Sequence, residues 1–283
     1  MTREKRWSDG GDFLVATLNV NGIRAAVRKG MLGWLSDAAP DVLLLQEVRA
    51  DADIAENLLH GTGYQVVVEP SRIKGRAGVA VLVADSLALG DVSRGIGSDE
   101  PDGDTGRVLS VDLPDVGVRV TSMYLHSADA KKPEKMAEKY AHLDRVENLM
   151  AEYAQSATPT IVGGDFNIVR SPYDIKNWKP NHNKASGVLD EEIAYLDRWV
   201  RDLGFHDVVR DLAGEVDGPY SWWSQRGKAF DNNVGWRIDY QFASGHVGEV
   251  PLAHAAQEFA IERAASYAER FSDHAPVLVH YAL

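Results

Sequence analysis

Cysteine is absent from all 283 residues, which removes disulfides, thiolate metal sites and thiol nucleophiles together. No apolar run approaches the ~20 residues needed to span a bilayer. The opening MTREKRWSDGGDF is polar and has no apolar signal core. Basic residues are also scarce: 30 Lys and Arg stand against 42 Asp and Glu, a net charge of −12. That balance argues against a general affinity for polyanions, because phosphate contacts dominate such binding. Attraction to phosphate would have to be local, through a basic face or a divalent cation. These absences predict a soluble cytoplasmic protein with no membrane partner. Nothing in the chain suggests more than a monomer. The rest of the composition, 45% hydrophobic and 25% charged, is that of an ordinary globular domain. A chain of this size buries roughly three quarters of its unfolded surface and needs no covalent staples.

What is present is a recurrence of apolar, β-rich runs at 13–20, 41–48, 64–70, 78–84, 107–113, 118–125, 158–166, 237–244 and 275–283. Several are almost continuously hydrophobic, as strands covered on both faces are. Between some of them lie helical stretches. Residues 133–157 open with Pro133 and carry Met136, Tyr140, Leu143, Val146, Met150 and Tyr153 on one stripe. Residues 190–204 begin with acids and end at Gly204, and a shorter helix over 29–40 is stopped by Pro40. The alternation predicts an α/β protein. Residues 1–12 read as a polar tail and 13–283 as a single domain, with long surface loops at 95–106 and 170–189.

Polar residues collect at the ends of the apolar runs. FLVATLNVNG gives Asn19 and Asn21, DVLLLQEV gives Gln46 and Glu47, and TPTIVGGDFN gives Asp165 and Asn167. Asp239 opens one late strand and Asp273-His274 precedes the last. Such residues are ordinary turn formers one at a time. Turn chemistry does not explain Glu47 so soon after a solidly apolar run, nor Gly163-Gly164 ahead of Asp165, where paired glycines suit close backbone approach. If the five ends share one edge of a two-sheet sandwich, their side chains converge. Glu47, Asp165 and Asp273, with the amides of Asn19 and Asn167, form a hard oxygen set that suits Mg²⁺ or Mn²⁺ rather than zinc. A histidine oriented by a separate carboxylate can be stabilised as imidazolium. Together these point to metal-assisted hydrolysis of a phosphoester by water.

LNVNGIRAA, LLLQEVRA, GGDFNI, NNVGWRIDY and SDHAPV resemble the exonuclease III family of apurinic/apyrimidinic endonucleases, within the endonuclease/exonuclease/phosphatase superfamily. The resemblance runs from about Phe13 to the C-terminus, and QEVRA, WRIDY and YSWW point to its DNA-repair branch. It implies a four-layered α/β sandwich, two mixed β-sheets face to face with helices outside. It implies Glu47 as principal metal ligand, with Asn19 and Asp273 nearby and Asp165, Asn167 and His274 completing the metal and phosphate set. Asp165 would position or deprotonate the attacking water, or protonate the leaving oxygen. Asn167 would orient Asp165, His274 would bind the scissile phosphate with Asp239 behind it, and Tyr124 would contact the phosphate or leaving group. Trp222 and Trp236 would wall a pocket for a flipped-out abasic sugar.

The implied substrate is double-stranded DNA with abasic sites or damaged 3′ ends. The implied reaction is incision 5′ to the lesion and removal of 3′-blocking groups or nucleotides. A non-specific nuclease or a lipid or inositol phosphate phosphodiesterase of the same superfamily is the alternative. The family's tyrosine is commonly followed by Pro and Asn or Gln, whereas Tyr124 here is followed by Leu125-His126-Ser127. His126 is therefore a candidate replacement contact. Asn21 stands where some relatives carry Asp. Basic loops at 28–30, 71–78, 176–184 and 224–230 are candidates for a phosphate-tracking rim. Arg76 and Lys184 come from two of them, and Trp178 and Trp223 are candidate packing partners for sugars or bases. Arg237 reads as a local structural partner rather than a DNA reader.

Overall fold

A computed structural model describes residues 12–97 and 100–283. The polar tail therefore lies, up to residue 11, outside the described residues. Among the described residues fourteen strands follow in chain order: β1 (Asp12–Asn19), β2 (Val42–Gln46), β3 (Tyr64–Glu69), β4 (Val79–Ala84), β5 (Val92–Arg94), β6 (Val108–Leu113), β7 (Val118–Tyr124), β8 (Thr160–Asp165), β9 (His206–Asp207), β10 (Asp239–Ser244), β11 (His246–Val247), β12 (Val250–Pro251), β13 (Ala256–Ile261) and β14 (Val277–Ala282). The helices are α1 (Ile23–Arg28), α2 (Met31–Ala38), α3 (Ala52–Leu59), α4 (Pro133–Gln155), α5 (Trp178–Asn181), α6 (Asp190–Arg201) and α7 (Val208–Ala213).

Two six-stranded sheets result, in the orders β13-β14-β1-β2-β4-β3 and β5-β6-β7-β8-β10-β9. Each is mixed: β1–β2 and β7–β8 are parallel and the other pairs are antiparallel. The period-2 alternation of strand side chains builds the layers. In β1, Phe13 and Val15 face the other sheet and pack with Val111, Val120 and Ile161. Leu14, Ala16 and Leu18 point the opposite way, onto Ile23, Met31, Leu35 and Leu59 of α1–α3. On the second sheet Met123, Val162 and Phe242 turn outward onto Leu143, Val146, Leu196 and Trp199 of α4 and α6. The expected four layers, helices, sheet, sheet and helices, are thus formed. Among the described residues no helix is long and apolar enough to cross a membrane.

Several local expectations need correction. The helix expected at 29–40 is α2 alone, preceded by α1 and a left-handed break at Gly30 (φ 103°). The segment 95–106 is not wholly surface: Asp104 and Thr105 are buried. Segment 170–189 likewise sinks Asp174, Ile175 and Val188 into the protein. In both, charged anchors meet partners from distant elements, so a polar, glycine-rich composition does not mean solvent. Helix α3 and strand β13 were not anticipated. One is only two turns long, and the other is an edge strand with little alternation.

Arg237 is the core of a buried ion network. Its Nε donates to Asp174 (2.6 Å) and its Nη1 and Nη2 to both oxygens of Asp207 (2.8 and 2.7 Å). Arg210 adds a second guanidinium to Asp174, and Arg170 one to Asp207. Burial opposes ionisation of Asp174, but Arg237 and Arg210 overcome it and hold its carboxyl down to about 2, against 3.8 when free. Because the folded value is the lower one, this stabilisation is complete above the free value and is lost as pH falls through about 2. Arg237→Met removes the guanidinium that Asp174 and Asp207 share and leaves each buried carboxylate with one partner, Arg210 or Arg170, so it is expected to cost about 3 kcal/mol, the low end for breaking a buried pair. Thermal and urea unfolding measure it, and a loss below about 1 kcal/mol would contradict the arrangement.

Candidate active site

The functional side chains sit at one rim because of strand direction. The parallel pairs β1–β2 and β7–β8 end there, at Asn19, Gln46, Tyr124 and Asp165. The antiparallel strand β10 starts there, so Tyr124, Asp165 and Asp239 are register neighbours in one row. Strand β14 runs antiparallel to β1, which puts Asp273 and His274 at its entrance on the same edge. Close approach is steric as well as topological. A Cβ on Gly164 would fall 1.8 Å from the Met123 carbonyl, and one on Gly163 would fall 2.6 Å from Leu44 of the facing sheet. Immediately past the strands, Glu47 (φ 49°) and Asn167 (φ 50°) take left-handed backbone, which re-aims the chain over the rim. Such conformations cost of order 1 kcal/mol for residues other than glycine and cluster where a site over-determines them.

Asn19 joins the sheets. Its Nδ2 donates to Glu47 Oε1 (2.8 Å) and to Asp165 Oδ2 (2.8 Å), and its Oδ1 accepts the Asn21 amide (2.9 Å). Asn167 supports the same carboxylate: its backbone N–H reaches Asp165 Oδ1 at 2.9 Å and its Nδ2 reaches Oδ2 at 3.3 Å and the Leu125 carbonyl at 3.1 Å. Burial pushes Asp165 up, against the pull of the His274 charge and with a push from Asp239 and Glu47. A carboxylate raised in this way is a better proton acceptor than a free one.

His274 is held from behind. Asp239 Oδ2 lies 2.9 Å from its Nδ1, and Ser221 Oγ donates to the same oxygen (2.5 Å). Its Nε2 then faces Asp165 Oδ2 at 3.8 Å. Burial alone would lower the imidazole, but Asp239 and Asp165 outweigh it and raise it to about 10, so it is an imidazolium at neutral pH. Ser272 fixes the approach, donating from Oγ to the Asn19 carbonyl (2.6 Å) while accepting the His274 amide (3.2 Å). Asp273 accepts from Asn21 Nδ2 (2.8 Å) and Trp222 Nε1 (3.2 Å). Trp222 stands edge-on to Trp236, with centroids 5.6 Å apart, and 6.4 Å from the His274 ring. The two indoles, both partly exposed, are therefore beside the histidine.

A cavity of about 700 Å³ opens from Glu47 and Tyr124 toward Arg49, Arg76, His126 and Arg145. Arg49 forms an ion pair with Glu47 Oε2. Burial, with the charges of Glu47 and Asp165, pushes the Tyr124 hydroxyl well up, so it stays protonated and able to donate. A basic set around His126 escaped the sequence reading. His126 Nε2 lies 2.8 Å from Asp104 Oδ1, Arg145 pairs with Oδ2, and the buried His142 stands 3.3 Å away. Both oxygens of Asp104 thus have partners and a guanidinium neutralises it, so the trio behaves as an anchor for His126 rather than a cation site. Asp104 comes from a glycine-rich loop and Arg145 and His142 from α4, and no local pattern connects them.

The remaining candidate contacts lie outside the cavity. Trp223 is buried, packed on Phe230 and donating to Asn233 Oδ1 (3.1 Å), so it cannot meet sugars or bases. Trp178 stacks on His182 with centroids 4.3 Å apart. Lys184 is exposed on the 170–189 segment, outside the residues lining the cavity. Lys29 lines a second hollow of about 280 Å³ with Asn21, Arg270 and Asp273.

Comparison with known proteins matches residues 16–274 to the endonuclease/exonuclease/phosphatase family. An exodeoxyribonuclease of Bacillus subtilis is 32% identical over 233 residues, covering 82% of this chain and 88% of that protein. The solved structure of an AP endonuclease from Archaeoglobus fulgidus superposes with a TM-score of 0.82 at 26% identity, over 96% of this chain and all of the other. A Neisseria 3′ phosphatase bound to a product DNA hairpin superposes at 0.83, also at 26% identity and over 96% of this chain.

Proposed function

Because the chain belongs to the endonuclease/exonuclease/phosphatase family and to its exonuclease III branch, we propose that it is a Mg²⁺-dependent DNA-repair phosphodiesterase. It incises duplex DNA 5′ to abasic sites and removes 3′-blocking groups or nucleotides. The observation that carries the reading is the convergence of two supported groups at one rim, Asp165 held by Asn19 and Asn167 and His274 held by Asp239, with Asp165 Oδ2 3.8 Å from His274 Nε2. Residues 13–283 act as one catalytic domain, as a monomer in the cytoplasm.

The donor chemistry would suit a hard divalent cation, with Asn19 joining Glu47 to Asp165 and the side chains of Asp165, Asp239 and His274 gathered within 4.8 Å of one another. Glu47, Asp273 and the side-chain oxygens of Asn19, Asp165 and Asn167 are an oxygen set, and the guanidinium on Glu47 marks that carboxylate as one that takes positive charge. Glu47 would be the principal ligand. When bound, the ion neutralises charge on the phosphate and the leaving oxygen. The chain's own groups do the rest. Asp165, oriented by Asn19 and Asn167, aligns a water and takes its proton. His274 binds a non-bridging oxygen and stabilises the charge that grows on it. Tyr124 donates to the same phosphoryl group. As the water oxygen bonds to phosphorus, the bond to the 3′ oxygen breaks; the departing oxygen takes a proton from solvent to become the 3′-hydroxyl, and Asp165 returns the water proton to solvent. Trp222 and Trp236 wall the abasic sugar, Arg76 and Lys184 meet flanking phosphates, and His126 takes the place of the family's amide.

EDTA is expected to abolish nicking of a duplex with one abasic site, with Mg²⁺ restoring it and Mn²⁺ substituting. A gel of the product ladder reads incision and end resection separately. Undiminished nicking in EDTA would rule out the metal-dependent reading. Cleavage of a sphingolipid or inositol phosphate in preference to the duplex would transfer the chain to another branch.

A further inference from the structure

Lys139, on the buried stripe of α4, is fully enclosed, and each of its ammonium hydrogens has a polar partner. It pairs with Glu192 Oε1 of α6 at 2.8 Å and donates to the backbone carbonyl of Asn167 (3.1 Å) and to Ser186 Oγ (3.3 Å). Glu192 is equally committed: it accepts from Ser186 Oγ (2.8 Å) and from the amides of Gly187 (2.5 Å) and Leu189 (3.2 Å). The 186–189 turn is thereby pressed over Asn167. A Cβ on Gly187, whose φ is +87°, would meet the Asn167 carbonyl oxygen at 2.6 Å. Two mutually satisfied buried charges are a costly way to join two helices, because apolar residues of similar volume often do as well.

What the pair gains is a grip on one peptide carbonyl. Asn167 sits in left-handed backbone, and its amide and carboxamide hold Asp165. We propose that Lys139 is a positioning residue: through Glu192 and the Gly187 turn it fixes the Asn167 peptide, and thereby the orientation of Asp165. The inference rests on the reading of Asp165 given above. It extends the reaction's machinery from the strand-end rim to a lysine on the helical layer behind the second sheet.

Neutralising both partners separates positioning from packing. Lys139→Met alone strands Glu192 and lowers the melting temperature. Lys139→Met with Glu192→Gln leaves no buried charge and recovers most of it. In that double variant kcat on the abasic duplex is expected to stay roughly 10- to 100-fold low, the size of effect that follows a misplacement of about 1 Å. KM should remain within about twofold of wild type, since no DNA contact is altered. Wild-type kcat in a folded double variant would overturn the proposal. If that variant does not fold, Gly187→Ala pushes on the same carbonyl without touching a charge, and unchanged kcat there would overturn it equally. Should the wild-type chain itself fail to nick the abasic duplex, the functional reading falls first. The Lys139 claim is then decided by the amide ¹⁵N resonance of Ile168, which shares the Asn167 peptide. That resonance should move in the variants, and an unmoved one refutes the grip.

Discussion

Asp165→Asn is expected to lower kcat on an abasic duplex by roughly 10³-fold, in the middle of the range for a positioned acid–base group. The fold should be untouched. The reason lies in what surrounds the carboxylate. Three N–H groups converge on it, from Asn19 Nδ2, Asn167 Nδ2 and the Asn167 backbone. An ionised carboxylate accepts all three, whereas a carboxamide offers one acceptor oxygen and turns its own donors toward Nδ2 groups. The variant therefore loses the proton acceptor and disturbs the group that aligns it. Duplex affinity should persist, because the substitution leaves Arg76, Lys184 and the indoles in place. Gel shift with the abasic duplex, together with single-turnover cleavage, checks both halves. Retention of more than about a tenth of wild-type turnover would remove Asp165 from the role of base.

The strand-end residues were legible because strand physics is local. A nearly continuous apolar run is a covered strand, and a carboxylate or amide at its end has to lie at a sheet edge. Asn19, Glu47, Asp165, Asp239 and His274 all stand at such ends, and the paired glycines before Asp165 match the tight approach of β7 to β8. The supports were not legible, since they join segments far apart in sequence. Asn21 meets Asp273, and Ser221 meets Asp239. Lys139 was a detectable exception. It lies on the same face as Met136, Leu143 and Val146, and a lysine inside an apolar stripe announces a buried partner. Hydropathy alone puts Tyr140 on the stripe in its place, yet Tyr140 is only partly buried while Lys139 and His142 are enclosed. Trp223 shows the opposite error: an aromatic among basic loop residues looks like a nucleic-acid contact, yet its neighbours Phe230 and Tyr220 make it core.

His274→Ala is expected to cost about 10²–10³-fold in kcat, the loss that follows removal of one donor aimed at developing charge. Its relation to Asp239 is the sharper test. Asp239 touches Nδ1 of the imidazole, and Nε2 is the atom that faces the reaction. The Asp239 charge also raises the proton affinity of Asp165, but the hydrogen bond by which it orients a reacting group runs to the ring. Asp239→Asn removes the charge that keeps the ring protonated and unsettles its tautomer, so it should produce a fall similar to that of His274→Ala. The double variant should then be no worse than His274→Ala alone, because with the ring gone Asp239 has nothing left to orient. Ser221 can still donate to the amide oxygen in Asp239→Asn, so the strand start keeps one anchor and the comparison is made between folded proteins. Single-turnover rates for the four chains complete the cycle. If the two losses multiply instead, Asp239 acts on the reaction independently of the histidine, and the pair has been given the wrong division of labour.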